Sequence, residues 1–169
     1  MPEKTLVIGI DSMDPKVVSA LSEKLPNLTG LETFRPLQTT IPPETPVAWS
    51  AASTGTNPGK YGIFDFINRD LKTYFPKLNL AIEKPGIIKT EYVCSMKGVP
   101  FWRILTQNRI PVTVIRWPVT FPPEKVSGRM LSGLGVVDIK GLLNSYSFYT
   151  DEAEKQEGGQ GKEKVIRVS

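Results

Sequence analysis

The sequence predicts an α/β fold in which a mostly parallel sheet is flanked by helices. Three observations predict it. Residues 5–10, Thr-Leu-Val-Ile-Gly-Ile, form an apolar run of strand length that is apolar on both faces, as a central parallel strand is. Asp11 closes that run and Pro15 opens a helix-spaced stretch just beyond it. A strand, an acid and a helix are the opening unit of an open sheet, whose ligands gather at the strands' carboxyl ends. A second unit, helix then buried strand, lies over residues 100–117.

The elements follow in order. Pro15 suits the first helical position, Val17, Val18, Leu21 and Leu25 have helical spacing, and Pro26 closes the helix. Residues 34–40 are extended. Ile41-Pro-Pro-Glu44 excludes regular structure, because adjacent prolines remove two backbone donors. Thr45 then reads as an N-cap with Pro46 at the first position of a short apolar helix over 47–53. Residues 54–59 are a turn-rich loop, and 67–97 show no clear period. Phe101, Trp102, Ile104 and Leu105 mark a helix over 100–107, and residues 110–117 a second buried strand. Residues 118–123 are loop, 128–131 a short strand, 133–149 loop-like, and 165–168 an edge strand. Residues 151–164 are polar and Gly-rich, a flexible or solvated segment. The chain thus divides into a domain over 1–150 and a tail over 151–169, with no internal repeat.

Composition narrows the function. A chain of 169 residues suits one domain, which buries roughly 70% of its unfolded surface. One cysteine, Cys94, excludes an internal disulfide. The absence of histidine removes the commonest metal ligand and the commonest general base together. The net charge of +4 is spread over the body without a basic run or helix face, so the sequence points away from a nucleic-acid polymer and suits an anionic small molecule. No apolar run reaches the ~20 residues of a membrane span, and the opening residues lack a signal peptide's cleavage site and h-region. The expected setting is the cytoplasm, with no membrane partner.

Two motifs are set aside. Gly55-Thr-Asn-Pro-Gly59-Lys60 has one residue too few between its glycines for a P-loop, Tyr61 replaces the required Ser/Thr, and the loop follows a helix rather than a strand. Cys94 has no histidine to activate it and reads as a partly buried thiol. Asp11 and Thr45 remain. Asp11 suits a divalent metal, or equally a turn or helix cap. Thr45, at a helix N-terminus, suits an oxygen nucleophile approaching phosphate above the positive end of the helix dipole; on position alone it is a plain N-cap.

Gly9-Ile-Asp11, Thr45-Pro-Val-Ala-Trp-Ser50 and Thr54-Gly-Thr-Asn-Pro-Gly-Lys-Tyr-Gly-Ile-Phe-Asp-Phe66, in that order and spacing, resemble the type I phosphodiesterase/nucleotide pyrophosphatase group of the alkaline phosphatase superfamily. Trp117-Pro-Val-Thr-Phe-Pro-Pro123 and Ser132-Gly-Leu-Gly-Val-Val-Asp138 resemble the same group's predicted phosphodiesterase branch, so the likeness covers residues 6–150. It implies an incomplete, alkaline phosphatase-like α/β fold. It also implies that Asp11 is a metal ligand and that Thr45 is both metal ligand and the nucleophile that is transiently phosphorylated. Thr39 and Thr40 are rivals, but only Thr45 has the group's spacing to the Thr54-Gly55 turn. Two divalent ions, zinc first, are implied for a complete enzyme, with a phosphate ester or nucleotide as substrate.

The sequence departs from the pattern in three ways. Tyr61 stands where a histidine usually precedes Gly-Ile. The position of the group's phosphate-binding asparagine falls on Phe66, leaving Asn68, with Lys60 and Arg69, as weaker candidates. The later Asp and His metal ligands are missing. The chain therefore reads as the N-terminal, nucleophile-bearing portion of a metal-dependent phosphodiesterase or phosphatase, inactive by itself and unable to hold its metals tightly. Sulfatases are excluded because their modified Cys/Ser motif is absent. Alternatives are a non-catalytic phosphate- or nucleotide-binding module, and a truncated remnant that self-associates through an exposed sheet edge.

Overall fold

A computed structural model describes residues 4–84, 91–136, 147–150 and 164–167. It is a mixed α/β structure that includes parallel strand pairs and short helices. Helices α1 (Pro15–Ala20) and α2 (Pro26–Thr29) are short and joined through a 3-10 turn at Ser22–Lys24. Helix α3 (Thr45–Thr54) is the longest, α4 (Pro58–Tyr61) follows it, and α5 (Phe101–Gln107) lies against α3. The strands are β1 (Ile67–Arg69), β2 (Pro76–Leu78), β3 (Ala81–Lys84), β4 (Glu91–Cys94), β5 (Val112–Trp117), β6 (Gly128–Ser132), β7 (Ser147–Thr150) and β8 (Lys164–Arg167). They pair two by two among the described residues: β1–β2 and β3–β4 antiparallel, β5–β6 and β7–β8 parallel.

The α/β class stands, while several elements differ from expectation. Residues 5–10 form no strand: they are unpaired and exposed, Leu6 at 82% and Ile8 at 74%. A run apolar on both faces needs a neighbour on each side to become a central strand, and none of the described strands pairs with it. Pro26 does not simply end a helix. It sits in the first turn of α2, where its missing N–H has no intrahelical partner to lose. The loop expected over 54–59 already contains the start of α4, and 67–97 hold four short strands. Residues 147–149, expected as loop, belong to β7, which pairs with β8. The expected second strand, the short strand over 128–131 and the helix over 100–107 are present as β5, β6 and α5. Residues 137–146 and 151–163, which carry the rest of the expected loop and most of the polar tail, lie outside the described residues.

The core sits where α3 meets α4 and the turn beyond it. Val47, Tyr61 and Ile63 are fully buried with Leu80 and Val119, and Ala51, Phe66 and Met96 pack around them. Tyr61 donates its phenol to the Val47 carbonyl at 2.8 Å, and burial pushes that phenol's pKa up. The residue in the place of the family's histidine is therefore part of the core. Ser50, Ser53 and Thr54 satisfy their hydroxyls on carbonyls one turn back, which lets small polar side chains line the buried side of α3. A cluster of Trp49, Phe101, Trp102 and Trp117, with ring centroids 5.0–5.8 Å apart, ties α3 and α5 to the end of β5. Arg103 and Glu124 add a two-pronged ion pair, with contacts of 3.0 and 2.8 Å, that raises the arginine's pKa.

Candidate active site

The site is built on the first turns of α3. The N-cap is Glu44 rather than Thr45, and Glu44 makes no side-chain capping bond. Thr45 and Pro46 occupy the first two helical positions, where a missing N–H costs no intrahelical bond. The correction matters chemically. A capping threonine would spend its hydroxyl oxygen on a backbone N–H. Released from that duty, the Thr45 hydroxyl donates to Asp11 Oδ2 at 3.1 Å.

Trp49 lies four residues after Thr45, on the same helical face. Its indole Nε1–H donates to Asp11 Oδ1 at 3.2 Å, so one helix face grips both oxygens of one carboxylate. Asp11 enters from the turn after residues 4–10, followed by Ser12 in the left-handed region at φ 56°. Asp14 caps α1 by accepting from Lys16 N at 2.7 Å, which fixes the far side of the turn. Asp11 is thus no helix cap; the helix it meets is α3. Trp49 is itself held: its ring meets Trp117 edge-on at 5.0 Å, and Trp117 Nε1 donates to the Trp49 carbonyl at 3.2 Å.

Asp11 and Thr45 open onto a cleft of about 760 Å³ that is also lined by Arg116, Pro118, Ser132 and Gly133. Lys60 does not line it. It borders a second groove with Thr40, Thr56 and Asn57. Asn68 and Arg69 lie on β1, opposite Lys77 and Pro76 of β2, and neither lines the cleft. Of the rival threonines, Thr40 turns its hydroxyl onto the Pro42 carbonyl at 2.9 Å. Cys94 donates to the Val119 carbonyl, and its burial raises the thiol's pKa, so it is not a ready nucleophile. Trp49 and Arg116 were missed by the sequence reading. The four-residue step from Thr45 was the signal for Trp49, and a lone arginine inside the apolar run 110–117 was the signal for Arg116.

The donor set decides what the pair can hold. Two oxygens 3.1 Å apart match one edge of a divalent ion's coordination shell at ligand distances of roughly 2.1 Å. Among the described residues, however, no group of three or more His, Cys, Asp or Glu side chains converges on a common point. Asp11 and Thr45 therefore do not complete a metal centre, and they present none of the nitrogen or sulfur donors zinc favours.

An apolar N-terminal run thus leads to an acid that meets a threonine at a helix start, and both line one open cleft. The type I phosphodiesterase / nucleotide pyrophosphatase family matches residues 5–160, and the chain belongs to that family. Its members act on phosphate esters and nucleotides as hydrolases and are generally metal-dependent. No curated protein and no solved structure matches the chain.

Proposed function

We propose that this chain is the nucleophile-bearing portion of a phosphoric ester hydrolase and that Thr45 is its nucleophile. The observation that carries the reading is the 3.1 Å hydrogen bond from Thr45 to Asp11 at the opening of α3, inside a solvent-open cleft. Thr45 Oγ1 attacks phosphorus as the bond to the leaving oxygen breaks, and the positive end of α3 favours the anion that approaches. The leaving alcohol or nucleotide departs with the proton that the Thr45 hydroxyl gives up. Water then attacks the phosphorylated threonine, breaking the threonine O–P bond, returning a proton to Thr45 and releasing phosphate from a monoester substrate or a phosphate monoester from a diester.

Asp11 holds the hydroxyl in place and, with it, offers one edge of a metal shell. Metal dependence needs further donors, so the chain alone binds divalent ions weakly and turns over little. We place the protein in the cytoplasm and assign it neither a nucleic-acid polymer nor a membrane as partner. The non-catalytic binding module is the second reading, favoured by the lack of a third ligand among the described residues. It expects phosphate or nucleotide binding that divalent metal does not strengthen.

The test is covalent labelling of the natural gene product, quenched during turnover of a 32P-labelled phosphate ester. Label on Thr45, absent from Thr45→Ala, supports the nucleophile. Turnover with label elsewhere, or with none on the protein, contradicts it.

A further inference from the structure

The cleft holds one more chemically distinctive group. β5 and β6 pair in register until Ile115 meets Leu131, and the next pair is Trp117 with Ser132. Arg116 is the extra residue of this bulge and takes a left-handed backbone, φ 56°. An arginine in that region carries strain of about 1 kcal/mol or more, and bulges re-aim side chains beside active sites. The strain is braced on both sides. Trp117 is fixed in the aromatic cluster and bonded to the Trp49 carbonyl. Gly133 donates to the Trp117 carbonyl at 3.0 Å and backs so closely onto the Arg116 carbonyl that any side chain at 133 would collide with it.

The result is an exposed arginine lining the same cleft as Asp11 and Thr45. No other lysine or arginine among the described residues lines that cleft. Arg116 makes no side-chain hydrogen bond or ion pair to the described residues, whereas Arg103 is committed to Glu124. The Asp11 oxygens accept from Thr45 and Trp49, and neither is paired with Arg116. A planar guanidinium that is unpaired among the described residues, on an arginine lining the same cleft as a threonine, matches the paired oxygens of a phosphoryl group.

We propose that Arg116 is the phosphate-binding residue of this cleft, gripping two non-bridging oxygens of a phosphate ester while Thr45 faces the phosphorus. The proposal rests on the reading of Asp11 and Thr45 as the reacting site. It also displaces Asn68 and Lys60, which lie outside the cleft, from that role.

The experiment is titration of the full chain with inorganic phosphate by calorimetry, with chelator present to remove any metal contribution. Arg116→Lys and Arg116→Gly are compared with the parent chain. Glycine accepts the left-handed backbone without strain, so Arg116→Gly removes the guanidinium and keeps the bulge. Arg116→Asn, which also tolerates that region, serves as a second variant. The parent is expected to bind saturably, Arg116→Gly and Arg116→Asn about tenfold to a hundredfold more weakly, and Arg116→Lys in between. Parent-like affinity in Arg116→Gly overturns the assignment of Arg116, while labelling of Thr45 tests the nucleophile separately. Absence of phosphate binding by the parent chain overturns the Arg116 assignment, whatever the labelling shows.

Discussion

Around the Asp11 carboxylate each neighbour has a defined task. Thr45 and Trp49 donate to its two oxygens, and Gly9, two residues before it, lets the Trp49 ring lie against the backbone. A side chain at position 9 would enter the space of the Trp49 ring, so Gly9 is required by close approach. Gly9→Val is expected to displace the ring and release Asp11 Oδ1, lowering stability by about 1–3 kcal/mol in urea unfolding. Unchanged stability would mean that the ring does not cover Gly9. At this scale the sequence was readable where chemistry and position coincide: an acid after an apolar run and a threonine before a helix. The partners of these groups were less readable. Trp49 reads only as one residue of a short apolar helix until its indole N–H is seen to face the carboxylate, and Arg116 depends on a bulge that no local pattern announces.

Among the elements, the hairpin of β1 and β2 carries its own signal in the turn between them. Asp70 accepts from the backbone N–H groups of Lys72 and Thr73 at 2.8 and 3.0 Å, and these bonds hold its carboxyl below its ordinary pKa of 3.8. A group with a lowered folded pKa stabilises the fold above its unfolded value, and that contribution fades as pH falls through the folded one. Asp70→Asn should therefore be less stable than the parent by a constant amount above about pH 5, with the gap closing below 3.8. Urea midpoints of both proteins across that range check it, and a gap independent of pH would contradict it. Strands of three or four residues, such as β1 to β4, are too short to display a period of two, which is why residues 67–97 looked patternless. Helices α3 and α5 and strand β5 were legible because proline, aromatic and apolar spacing agree there. Residues 5–10 have strand character, but pairing is a property of neighbours and not of the run.

At the scale of the whole molecule, apolar surface is plentiful. Leu6, Val7 and Ile8 in the unpaired N-terminal run are 82%, 63% and 74% exposed, and Ile115 and Leu131, on the paired strands β5 and β6, are 67% and 59% exposed. Exposed apolar surface of this kind, together with two-stranded pairs whose outer edges have no partner among the described residues, would favour association with another copy of the chain. Sedimentation of the isolated chain is expected to show concentration-dependent oligomers that mild detergent disperses; a monomer at every concentration would contradict this. The α/β class and the family could be read from the order of motifs along the chain, because that order reflects the fold's topology. The depth of the sheet could not be, since it depends on which strands find partners.

The central claim is that Thr45 performs the chemistry, and hydrolysis of bis-p-nitrophenyl phosphate by the natural gene product and its Thr45→Ala variant tests it most directly. The account predicts that the variant folds like the parent and loses turnover by about a thousandfold or more. Turnover that survives in a folded Thr45→Ala protein would contradict it.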